Sequence, residues 1–91
     1  MIQFITITQT REQWYLNKVV VNREHIASVE EAREHNRLLS EGKINLGLAD
    51  GVRFSRVKMA LTSGFNEFIV VGSPDTILEK LNRNTKQLLK G

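Results

Sequence analysis

The segment Lys43–Gly72 reads KINLGLADGVRFSRVKMALTSGFNEFIVVG, and its hydrophobic phase predicts three strands. Ile44, Leu46 and Leu48 alternate with Asn45, Gly47 and Ala49, the period-2 pattern of a half-buried strand. Asp50-Gly51 follows as a hairpin turn, in which glycine takes positive φ at low cost. The return strand keeps Val52 and Phe54 on one phase but carries Val57, Met59 and Leu61 on the other, so the pattern slips near Ser55. A β-bulge there puts Phe54 and Val57 on one face and turns Arg53, Arg56 and Lys58 to the opposite one. Thr62-Ser63-Gly64 marks a second turn, and Phe68–Val71 is the continuous apolar run expected of a strand covered on both faces.

Working outward, Ile2–Thr8 is rich in β-branched residues and predicts a strand, and Trp14–Val21 predicts its hairpin partner across the polar run Gln9–Gln13. Trp14 and Tyr15 are adjacent, so they point to opposite faces and only one of them is hidden in a given core. Asn22 suits a tight turn, and Ile26–Val29 reads as a short third strand. Residues 30–42, EEAREHNRLLSEG, form a charged insert: a helix or an extended loop, with Ser28 and Glu31 at capping-box spacing and an apolar stripe too thin to reach the core. Ser73-Pro74-Asp75 is a helix start, and residues 73–90 predict a C-terminal helix with Ile77, Leu78, Leu81, Leu88 and Leu89 on its apolar stripe. The expectation is one α+β domain over residues 1–91: a small antiparallel sheet or partly closed barrel of about five to six strands with a closing helix.

Composition bounds the class. Ninety-one residues, 41% hydrophobic and 25% charged, make a single soluble-type domain with a modest core, so oligomerisation would add burial. A formal charge of +3 favours anionic partners mildly. The chain has no cysteine, which excludes disulfides and thiol chemistry and fits a reducing, cytoplasmic setting. Met1-Ile2-Gln3 lacks the charged start of a signal peptide, and no apolar run approaches membrane length, so no membrane association is expected.

The chemistry-bearing residues do not assemble into a catalytic motif. His25 and His35 are ten apart with no HxH or HExxH spacing, which argues against a metal site. The serines lack a nucleophile elbow, the glycines lack a phosphate-cradling spacing, and Glu30-Glu31 lies where nothing raises a carboxylate pKa. Neither enzyme activity nor a cofactor is expected. Two binding readings remain. One is capture of a phosphorylated ligand, a nucleotide or a nucleic-acid backbone, by Arg53, Arg56 and Lys58 with Arg83 or Lys86, a base stacking on Trp14 or Tyr15. A phage-type sequestering or inhibitor protein is one setting for such a binder. The other is a protein-interaction module using a strand edge and the helix end, with Leu81, Leu88 and Leu89 at an interface between copies or with a host or flagellar partner.

Met1-Ile2 opening a strand, Val21-Asn22 with Ile26 four residues beyond the asparagine, Asp50-Gly51, and a valine-rich strand entering Ser73-Pro74-Asp75-Thr76-Ile77 follow one another along the chain. This order resembles the small flagellar FlbD-type proteins and their phage and bacterial relatives. The resemblance implies a compact β-rich module with a closing helix and supplies no catalytic residue. Residues 30–42 and the hairpin Met59–Phe68 are additional to that pattern.

Overall fold

The computed structural model describes residues 1–61 and 64–90, with side chains described for 1–60 and 66–83. The β-branched residues of the first segments place them in β1 (Ile2–Thr10) and β2 (Gln13–Val21), paired antiparallel without a break from Ile2↔Val21 to Thr10↔Gln13. Only Arg11 and Glu12 are left for the turn. Arg11 takes a φ of 59°, the left-handed conformation such short loops demand. Asn22 accepts the Glu24 N–H at 3.0 Å and opens a 3₁₀ turn, Arg23–His25, that leads into β3 (Ile26–Glu31). Then come α1 (Arg33–Ser40), β4 (Phe54–Leu61), β5 (Gly64–Val71) and α2 (Pro74–Lys90).

The sheet has five strands in the order β2-β1-β5-β4-β3, every pair antiparallel, and it stays open at β2 and β3. The architecture is therefore α+β with an open sheet and not a barrel. Both faces are covered. On one, Ile2, Phe4, Val21, Val57, Met59 and Val70 pack with Ile77 of α2, and Leu81 leans on the same group. On the other, Ile7 and Phe54 pack with Ala32 and Ile44, joined by Leu38 and Leu39 of α1 and by Leu46, Leu48 and Val52. Ser73 caps α2, its Oγ accepting the Thr76 N–H at 3.2 Å and its carbonyl the Ile77 N–H at 3.0 Å. Gly72 makes this junction possible: its φ is 130°, and a Cβ there would stand 3.1 Å from Ile77 Cδ1.

Three sequence expectations fail around β4, which is paired on both edges and covered on both faces. First, there is no bulge at Ser55. β4 and β5 stay in register from Phe54↔Val71 to Leu61↔Gly64, so Phe54 and Val57 point to opposite faces, and both are 0% exposed. The slip in hydrophobic phase is a strand feeding two cores. The irregularity lies instead in β3, between Ile26 and Ser28. Second, residues 44–49 are not a strand. β4, its expected hairpin partner, already has β3 on one side and β5 on the other, which leaves 44–49 no edge of β4 to join. The segment lies over Phe54 as a loop, and Ile44, Leu46 and Leu48 alternate because every second residue packs against the sheet. Third, the charged insert does not stand away from the core, since α1 seats Leu38 and Leu39 on the Phe54 face. Its N-cap is Ala32, with no side-chain bond, because Ser28 and Glu31 belong to β3. The expected turn at Thr62-Ser63 lies outside the described residues. Leu78, placed on the apolar stripe of α2, is 55% exposed.

Candidate functional site

The phosphate candidates come to lie apart. Strand alternation puts Arg56 and Lys58 on the Phe54 face, while Arg83 is exposed on α2, across the sheet. Arg53 precedes β4 and is exposed beside α1. Lys86 lies outside the described side chains, as do Leu88 and Leu89. Leu81, expected at an interface, is half-buried in the molecule's own core, where its carbonyl accepts from Arg23 Nη2 at 3.1 Å.

Arg56 and Lys58 are also neutralised. Lys58 Nζ is 3.0 Å from Glu30 Oε1, and Arg56 Nε is 3.0 Å from Glu67 Oε2. The second contact is ionic only: the Arg56 Nε–H makes no hydrogen bond among the described residues. The two pairs cross: Glu30 stands opposite Arg56 in the β3–β4 register but bonds Lys58. The Lys58 ammonium, by hydrogen bond and by charge, lowers the Glu30 pKa, with Arg56 adding a smaller effect. A phosphate arriving here would have to displace carboxylates already in place.

Arg53 and Arg37 share an open groove of about 730 Å³ between α1 and residues 48–53, a volume ordinary for a ligand site. Its other charges oppose an anion. Asp50 lines the groove, Arg37 lies 4.0 Å from Glu41, and the groove borders the C-terminal, negative end of α1.

Trp14 and Tyr15 point to opposite faces, as adjacent strand residues must. Trp14 is half-buried, edge-on to the His35 ring with centroids 5.8 Å apart, so its own core occupies it. Tyr15 is exposed, with its hydroxyl donating to Gln13 Oε1 at 2.6 Å. His35 Nδ1 is buried without a hydrogen-bond partner among the described residues. Burial is the main cause holding its pKa below the ordinary 6.5; nearby Arg56 acts in the same sense and Glu34 against it. A histidine depressed on folding binds its proton more readily in the unfolded chain, so its contribution is intact above pH 6.5 and is lost as pH falls through that value. Urea unfolding at about pH 7 and about pH 5.5 is expected to show this loss in the native chain and a smaller one in His35→Phe.

The feature the sequence did not single out is the edge made by β2. In a two-residue hairpin the closing pair, Thr10↔Gln13, exchanges both backbone bonds, and hydrogen-bonded pairs recur at every second residue. Tyr15, Asn17, Val19 and Val21 therefore bond to β1, while Trp14, Leu16, Lys18 and Val20 direct N–H and C=O groups away from the sheet. This edge is nine residues long, has no proline and no bulge, and carries a single charge, Lys18. Leu16 is 44% and Val20 59% exposed, on the Phe54 face; Tyr15 is 45% exposed on the other. The opposite edge is protected differently: β3 is six residues, irregular near Ala27, and bears Glu30 and Glu31. Among the described residues no three His, Asp or Glu side chains converge on a metal-sized site, and no helix is long and apolar enough to cross a membrane.

Comparison with protein families, curated proteins and solved structures finds no significant match.

Proposed function

We propose that this chain is a non-catalytic interaction module that engages polypeptide by adding a strand to the edge of β2. One observation carries the reading: a nine-residue strand edge with outward N–H and C=O groups, flanked by exposed Leu16, Val20 and Tyr15, and without the charges or kinks that protect β3. Backbone bonds would supply affinity at such an edge and alternate side chains the selectivity. The FlbD-type pattern in the sequence agrees, since it implies a module with no catalytic residue. A host or flagellar protein is the kind of partner that pattern suggests.

The phosphorylated-ligand reading has one feature in its favour, the Arg37–Arg53 groove. The paired state of Arg56 and Lys58, and the Asp50 carboxylate and α1 C-terminus at the groove, rank it second.

The test compares two double variants of the tagged chain: Leu16→Lys/Val20→Lys at the edge and Arg53→Gln/Arg56→Gln at the basic residues. The edge variant is expected to lose about tenfold or more of the polypeptide recovered on pull-down, because two added charges at an apolar edge oppose strand pairing. The arginine variant is expected to retain it. Calorimetry against ATP and a short oligonucleotide gives the counter-result: binding abolished in the arginine variant would put the phosphate reading first.

A further inference from the structure

We infer that the strand added to β2 is β2 of a second copy, paired antiparallel about a two-fold axis through Asn17. This rests on the strand-addition reading and names its partner. The argument is one of register. The outward-facing residues Trp14, Leu16, Lys18 and Val20 are placed symmetrically about Asn17, the middle of the strand. Two copies aligned over the full strand therefore bring outward groups opposite outward groups all along the seam: Trp14 to Val20 of the second copy, and Leu16 to its Lys18. That gives four hydrogen-bonded pairs, roughly eight backbone bonds at two per pair.

Side chains favour the same register. It sets Trp14 against Val20 on one face and Tyr15 against Val19 on the other, aromatic and β-branched pairs of the kind that stabilise sheets. Lys18 falls opposite Leu16 and not opposite the other Lys18. Sliding the copies by two residues in one direction would set the two lysines face to face, and in either direction would give up a hydrogen-bonded pair. Leu16 and Val20, now in water, would join one apolar strip continuing across the seam beside Ile7 and Trp14. The product is a continuous antiparallel sheet of two chains, its outer edges the two protected β3 strands.

Because the chain has no cysteine, a single introduced thiol reads the register. Asn17 would face Asn17 of the second copy as a non-hydrogen-bonded pair, with Cα atoms about 4.5 Å apart, inside disulfide range. Asn17→Cys is expected to cross-link in oxidised glutathione, whereas Gln13→Cys is not, since the two Gln13 positions would lie about 27 Å apart at eight residues of strand rise. Sedimentation of the native chain at micromolar concentration is expected to give twice 10.4 kDa. Leu16→Lys/Val20→Lys, at exposed positions, is expected to stay folded and to weaken self-association roughly 100-fold or more by like-charge contact across the seam. A dimer unaffected by the edge charges, or one cross-linked by Gln13→Cys and not by Asn17→Cys, overturns the inference. A monomer also overturns it; the strand-addition reading then survives only if the edge charges still abolish capture of a different polypeptide.

Discussion

Phe54→Ala is expected to lower the unfolding free energy by about 3–5 kcal/mol, the cost of emptying a fully buried aromatic site. For 91 residues a total of roughly 5–14 kcal/mol is ordinary, so this one change would consume about a fifth of it or more. The reason lies in what rests on the ring. Ala32, Ile44, Leu38, Leu39, Leu46, Leu48 and Val52 belong to its cluster, and most of them sit on α1 or on the irregular segment 41–53. That segment joins no strand and is held mainly by the apolar side chains it presses on the sheet. Urea unfolding measures the loss. Amide exchange is expected to show α1 opening before the β1–β2 hairpin, and a change below about 1 kcal/mol would mean the cluster collapses onto the vacated space.

Asn36→Ala is expected to cost about 1–3 kcal/mol, out of proportion to a half-exposed polar side chain. Asn36 Oδ1 accepts the Phe54 N–H at 2.7 Å, and Nδ2 donates to the Phe54 carbonyl at 3.3 Å. The side chain thus stands in for a strand residue just where β3 ends, beyond the Glu31↔Ser55 pair, and Ala32 N–H reaches the same carbonyl at 3.2 Å. Alanine leaves the Phe54 N–H without its acceptor in a partly buried position. Asn36→Asp keeps the acceptor and loses the donor, so its stability is expected to fall between the two. An alanine variant as stable as the parent in urea unfolding would show that water replaces the amide.

How much of this was readable beforehand can be judged residue by residue. Most elements were: the β-branched runs of β1 and β2, the apolar run of β5 and the Ser73 cap of α2 are local signals with local causes. What failed was whatever depended on neighbours. Val57 and Phe54 could be told apart as residues of opposite faces only by knowing that both faces are covered. Ile44, Leu46 and Leu48 keep a strand's period whether they pair with a strand or lie over one. The edge of β2 was invisible for the same reason, since it is an edge only because β1 spends its other side on β5. Arg56 and Lys58 looked like free cations because Glu67 and Glu30 are distant in sequence and adjacent in space.

The pairing of β1 with β5, which joins Thr6 to Val70 at the centre of the sheet, bears on how the chain comes to be folded. Each of the other strand contacts closes over a shorter stretch of chain, so β1–β2 and β3–β4–β5 can form as separate local units. The central seam is expected to close last and to set the rate, because the chain between Thr6 and Val70 must first lose its freedom. During synthesis the first hairpin emerges well before its partner exists. Throughout that interval the Phe4 and Ile7 strand has an open side on a hairpin whose other side, β2, is also unpaired. A nascent chain in that state is expected to be most exposed to aggregation, and slowing translation between residues 21 and 64 to lengthen its exposure.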